Sequence, residues 1–252
     1  MATIATALSY LIFAAPPCLE PSALAPIPCR NDLAIAAQRH FSRLGRAVEV
    51  GVYQGNFSAY NIRHWQGEYF AVDSWGYRPG PGDHDKNFGD KAINQANYEI
   101  AAANLAPAGA RAKQVRLQSL KAARTFANES FDWMYIDALH TYSGLLRDLR
   151  AWWPKLRPGG LLSGDDYGDS RDTPFLPAKR WAKPTLDRDA RERTGFTGFG
   201  ATVYPDIARK MNWGVVRVAQ EWAAHVKAEL HITWLPDCYP YPAWYMIKPG
   251  CA

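Results

Sequence analysis

Phe131-Asp-Trp-Met-Tyr-Ile-Asp-Ala-Leu-His-Thr-Tyr142, then an amphipathic run, then Leu156-Arg-Pro-Gly-Gly-Leu-Leu-Ser-Gly-Asp-Asp-Tyr167: this order of residues reads as strand, helix and strand. Trp133 to Ala138 is short and apolar and runs out at Asp137. Leu145, Leu146, Leu149, Trp152, Trp153 and Leu156 recur at helical spacing, with Arg147, Asp148 and Arg150 between them. Pro158, Gly159 and Gly160 are expected to stop that helix. Gly160 to Ser163 makes the next strand, which ends in Asp165 and Asp166. Parallel strands joined by a crossover helix point their C-terminal ends the same way. Asp137, His140, Asp165 and Asp166 are therefore expected at one rim, where open α/β sheets bind ligands.

The whole chain sets bounds around this unit. Its 252 residues suffice for one core, and 48% hydrophobic with 21% charged residues is ordinary globular composition. The net charge of +5, from 29 basic and 24 acidic residues, is mild and scattered. No dense basic stripe or recognisable nucleic-acid module accompanies it, so no nucleic-acid partner is expected. Cys18, Cys29, Cys238 and Cys251 lack metal-ligand spacing. They read as free thiols, since a Cys18–Cys29 disulfide needs an oxidising compartment.

Residues 1–16 are small and apolar but too short to span a bilayer comfortably, and the first basic residue is Arg30. They read as a helix packed on the body or on a second subunit, with a processed targeting segment as the alternative. Five prolines from Pro16 to Pro28 make a rigid connector, so 1–30 stands apart from a single domain over 31–252. A cytoplasmic protein without stable membrane insertion is expected, with a homo-oligomer in view. Asn31 or Asp32 is expected to cap a helix to about Leu44.

Ala47-Val-Glu-Val-Gly-Val-Tyr-Gln-Gly-Asn-Phe-Ser58 is a strand running into a glycine turn and a helix. Gly51 and Gly55 let the backbone approach a ligand. Glu49 is a carboxylate inside an apolar strand, which is costly unless partnered. Two readings stand: it fixes the turn by accepting backbone amides, or it contacts the ligand. Tyr69 to Trp75 is the second strand, with Asp73 at its end, 22 residues beyond Gly51. An acid there meets ribose hydroxyls in α/β nucleotide sites. Trp75 is placed to pack on an adenine ring; an ordinary cap and a core aromatic are the plain alternatives.

Residues 76–90 have loop composition and suit a lid; His84 between Asp83 and Asp85 reads as solvated surface sooner than as a metal cluster. A helix over about 89–105, a strand from Gln114 to Leu117, a turn opening at Ser119 and a helix from Ala122 to Phe126 lead into the central unit. Residues 168–200 break the pattern and read as a substrate-side insert. A helix at about 205–226 and strands at 229–235 and 244–247 close the chain.

Carboxylates crowded at one rim raise one another's pKa, and a hard divalent cation relieves this. Asp137, Asp165 and Asp166 make the candidate metal set, and His140 the candidate base. The plain alternative is a helix cap, a structural histidine and a turn. The dinucleotide fingerprint is not met, because Gly51-Val-Tyr-Gln-Gly55 places Tyr53 where that motif needs glycine. P-loop and serine-hydrolase signatures are absent as well.

Val48 to Gly55, Ala71-Val-Asp-Ser-Trp75, Ile136-Asp-Ala-Leu-His-Thr-Tyr142 and Leu156 to Tyr167 together resemble class I S-adenosylmethionine-dependent methyltransferases. The branch they resemble is the metal-dependent, macrocin-type O-methyltransferases, over about 40–248. The resemblance implies a seven-stranded, mostly parallel Rossmann-like sheet with helices on both faces and an antiparallel C-terminal strand. It implies a cofactor side of Glu49, Gly51, Tyr53, Gly55, Asp73, Ser74, Trp75, Ser119 and Asp137. It also implies Mg²⁺ or another hard cation on Asp137, Asp165 and Asp166, His140 as base, and a small-molecule or sugar-containing hydroxyl acceptor.

Overall fold

The computed structural model describes residues 26–40, 45–76, 91–167, 214–233 and 242–250. Expectations for 1–25, for the 77–90 loop with His84, for the 168–200 insert and for the first part of the 205–226 helix lie outside them. Among the described residues, seven strands form one sheet in the order β3-β2-β1-β4-β5-β7-β6. They are β1 (Arg46–Val50), β2 (Glu68–Asp73), β3 (Ala112–Arg116), β4 (Phe131–Ile136), β5 (Leu156–Gly164), β6 (His231–Ile232) and β7 (Trp244–Ile247). All pairings among β1 to β5 are parallel, and β7 runs antiparallel to β5 and β6. This is the expected sheet with its antiparallel closing strand. The helices among the described residues are α1 (Leu33–His40), α2 (Asn56–His64), α3 (Lys91–Leu105), α4 (Ser119–Ala123), α5 (Tyr142–Trp152) and α6 (Val215–Val226).

Both faces of the sheet are covered, as parallel strands require. Period-two alternation sends Val48, Val50, Met134 and Ile136 to one side, against Leu149 and Trp152 of α5 and Val218 and Trp222 of α6. Ala47, Trp133 and Tyr135 face the other way, onto Leu33, Ile62 and Trp65 from the α1–α2 side. The register aligns Val50 with Val72 and with Ile136, so three strands run out together. Backbone bonds then stitch the rim: Gly51 N–H to Val72 O at 2.8 Å, Asp137 N–H to Val50 O at 2.7 Å, and Asp165 N–H to Ile136 O at 3.2 Å.

Some boundaries differ from the sequence reading. Pro158-Gly159-Gly160 does not stop a helix; it lies inside β5. The helix ends at Trp152, and a 3-10 turn over Trp153–Lys155 follows with Pro154 in its first positions. Phe131 pairs Leu156 and Trp133 pairs Leu161, so the two strands advance unequally and β5 bulges between. Proline and a glycine at φ 70° (Gly159) are tolerated there because the ladder is already interrupted. Helix α4 begins at Ser119 and ends at Ala123, earlier than expected. A 3-10 turn over Arg30–Asp32 leads into α1, and Cys29 caps that turn, its sulfur accepting from Asn31 N–H. Cys29 is also disulfide-bonded, which corrects the free-thiol reading at this position; its partner cysteine lies outside the described residues.

Candidate active site

The turn after β1 is held by side chains the sequence singled out, in ways it did not foresee. Gly51 has φ 94°, and a Cβ there would stand 1.7 Å from the carbonyl oxygen of Asp137. Glycine is therefore required by backbone conformation and by the close passage of the β4 exit. Asp73 closes the same turn: its Oδ2 accepts Val52 N–H at 2.9 Å and Tyr53 N–H at 3.0 Å, and its Oδ1 accepts Trp75 N–H at 2.8 Å. Trp75 is buried and donates its indole N–H to Tyr53 O at 2.7 Å, so its ring is tied to the turn. Gly55 sits at the start of α2 with φ 74°, packed near Ala101.

Glu49 is buried. Its Oε2 accepts the Ser58 hydroxyl at 2.8 Å and the Tyr69 hydroxyl, not the backbone amides the strand pattern suggested. Burial pushes its carboxyl up to about 8, against the lowering effect of those two hydroxyls. Ser119 opens α4; its hydroxyl donates to Asp148 Oδ1 and accepts the Trp152 indole N–H at 2.9 Å.

Across the rim lies an acidic group built by β4, the start of α5 and the end of β5. Thr141 caps α5 by accepting Gly144 N–H at 3.1 Å, which fixes the chain directly after His140. His140 Nε2 stands 3.3 Å from Asp137 Oδ1 and 3.0 Å from Asp166 Oδ2. One ligand atom from each of Asp137, His140 and Asp166 falls within 4.8 Å of the others. Asp166 reaches inward through a left-handed backbone at φ 58°. Asp165, the preceding residue, turns to Arg30 instead and forms a buried ion pair with its guanidinium. The Arg30 guanidinium also lies over the Phe57 ring, 4.7 Å from its centroid.

The electrostatics follow from burial and from like charge. Burial raises Asp137, with Asp166 adding to the rise. Burial and the charges of Asp137 and Asp166 hold Asp165 well above the carboxylate range, with Arg30 pulling the other way. Burial alone would lower His140, yet the charge of Asp166 and the hydrogen bonds to Asp137 and Asp166 carry it well above its ordinary value. The group is short of positive charge. Asp165 Oδ1 is buried without a hydrogen-bond partner among the described residues. Crowded carboxylate oxygens, one still to be satisfied, fit a hard divalent cation.

One cavity of about 470 Å³ joins the two halves. Glu49, Gly51, Tyr53, Asp73, Ser74, Trp75 and Ser119 line it together with Asp137, His140 and Asp166; Gly55 and Asp165 do not. Arg30, Arg147 and Asp148 line it as well and were not anticipated as site residues. Arg147 and Asp148 looked like the polar face of α5. Arg30 carried no signal beyond being the first basic residue of the chain.

An open α/β sheet with such a cavity at its C-terminal rim defines a domain that binds a small ligand across the strand ends. Residues 48–167 match the family model described as a methyltransferase domain. No curated protein sequence matches the chain. Among solved structures it resembles a protein from Corynebacterium glutamicum, at 16% identity and TM-score 0.52, over 91% of this chain and 84% of that one. It also resembles a protein from Nostoc punctiforme described as a candidate O-methyltransferase, at 14% identity and TM-score 0.52, over 86% of this chain and 56% of that one. A weaker likeness, TM-score 0.46 at 15% identity over 87% and 79% of the chains, is to the O-methyltransferase TomG from Streptomyces achromogenes in complex with SAM. The first two of these likenesses bear out the fold.

Proposed function

We propose that this protein transfers a methyl group from S-adenosylmethionine to a hydroxyl of a small-molecule acceptor, with the help of a divalent cation, Mg²⁺ in the first instance. The observation that carries this reading is the single cavity shared by the Gly51–Asp73 turn and the Asp137, His140 and Asp166 group. Its size is in the range of small-molecule sites.

The cofactor supplies an electrophilic methyl group, and the cation supplies charge that acidifies a nearby hydroxyl. The protein's own residues do the rest. Gly51 and the amides around it keep the backbone low on the donor side, and Asp73 holds that turn in one conformation while its carboxylate faces the same cavity. Tyr53, Ser74, Trp75 and Ser119 wall that side. Asp137 and Asp166 offer oxygens to the cation, and neighbouring Asp165 has a buried oxygen with no hydrogen-bond partner among the described residues. His140 takes the acceptor's proton at Nε2, the nitrogen that faces Asp137 and Asp166. Placing two reactants in one cavity is the main contribution of such a site, worth up to about 7–11 kcal/mol of barrier. The Cys29 disulfide favours an oxidising compartment over the cytoplasm.

Titration calorimetry with S-adenosylhomocysteine tests the donor side. Binding is expected, and Asp73→Ala should weaken it by about tenfold or more, since the turn loses the acceptor of three amides. No binding at millimolar ligand would sink the proposal. Methyl transfer fully retained in EDTA would leave the methyltransferase reading standing and remove the cation.

A further inference from the structure

The segment ahead of the domain ends in the site. Ile27 is buried, and its amide donates to the Tyr245 hydroxyl at 3.1 Å. Cys29 is disulfide-bonded. Arg30 therefore enters the cavity from a backbone anchored just before it. Its side chain is 15% exposed and that of Asp165 is 2% exposed, so the pair is sheltered from water. Nη1 donates to Asp165 Oδ2, while Asp165 Oδ1 finds no hydrogen-bond partner among the described residues. A buried carboxylate satisfied on one oxygen alone is an expensive arrangement. A guanidinium tolerates such burial because its charge is delocalised and weakly hydrated, and the Phe57 face supports it. A divalent cation carries twice the charge and takes carboxylate oxygens more strongly at the same distance. Asp165 is next in sequence to Asp166, which already belongs to the candidate metal group.

We propose that Arg30 is a resident counter-ion that holds Asp165 until a divalent cation takes that carboxylate from it. Arg30 is in this sense a positioning residue. It keeps the acidic rim folded when no cation is bound, and metal loading releases its guanidinium into the cavity that it lines. The inference rests on the divalent-cation reading above.

A double-mutant cycle on the full-length protein, freed of metal and titrated with Mn²⁺, tests it by calorimetry and electron paramagnetic resonance. Arg30→Met should tighten Mn²⁺ binding by about tenfold, because the competitor is gone. Asp165→Asn should weaken it. In the Asp165→Asn background, Arg30→Met should change affinity by less than about threefold, since the contested carboxylate is absent. Arg30→Met that leaves the affinity unchanged, while Asp137→Asn abolishes binding, overturns the assignment to Arg30 alone. The same factor in both backgrounds also overturns it, because Arg30 then acts only as a distant charge. No Mn²⁺ binding to the wild type defeats the metal reading and this inference with it. If Arg30→Met does not fold, the wild type still answers. The ¹⁵N side-chain signal of Arg30, identified by its loss in Arg30→Lys, should move on addition of Mg²⁺. A signal unmoved at saturating Mg²⁺ contradicts release.

Discussion

His140 shows how much of the site is decided residue by residue. Its place three positions past Asp137 put it at the rim from the sequence, and the structure sets its Nε2 between Asp137 and Asp166. Those carboxylates outweigh burial and keep the imidazole protonated well above its ordinary pKa. To act as base it must first lose that proton, so the rate should fall on the acid side of the pH profile. We expect His140→Ala to lower kcat/KM by about 10²–10⁴ and to abolish or move that acidic limb. A limb that stays in place with His140 gone would assign the proton transfer to another group. Asp165 and Asp166 teach the opposite lesson. Neighbouring residues at a strand end face opposite ways. The sequence offered both to one ion, whereas the fold gives Asp166 to His140 and Asp165 to Arg30.

Helix α5 is the element most fully legible in advance. Leu145, Leu149 and Trp152 recur at helical spacing and are all buried, and Thr141 supplies the cap that starts the helix. Leu149 is completely buried under the sheet beside Met134 and Ile136. Leu149→Ala should therefore cost about 2–5 kcal/mol in urea unfolding, the range for a large-to-small change in a packed core. A loss below about 1 kcal/mol would show that the helix is not packed as the burial indicates. The strand after it was misread for a local reason. Pro158-Gly159-Gly160 is helix-stopping in composition, but the same residues serve a bulge inside β5, and only the pairing with β4 distinguishes the two uses.

At the scale of the whole molecule, Glu49 couples the fold to pH. Its carboxyl titrates near 4.5 when unfolded and at about 8 in the fold, where burial dominates. Between those values the unfolded chain loses the proton and the native protein keeps it. The stability contributed by the protonated group is complete below about pH 4.5 and is lost progressively as pH rises to about 8. Chemical denaturation across that window should show the wild type losing more stability than Glu49→Gln, whose amide cannot ionise. Parallel curves for the two proteins would mean that Glu49 ionises as an exposed carboxylate does.

The order of strands and helices along the chain, the glycine turn and the acids at the strand ends were written in the sequence, because periodicity and turn chemistry are local properties of the chain. The reach of Arg30 into the site, the Asp73 carboxylate folded onto its own turn and the hydroxyl partners of Glu49 were not. Arg30 and Asp165 are 135 residues apart, and Ser58 and Tyr69 meet Glu49 only because β1, α2 and β2 pack around it. Pairings of that kind depend on which side chains the sheet brings within hydrogen-bond distance, and no local pattern encodes a distance between segments that meet only when the chain is folded.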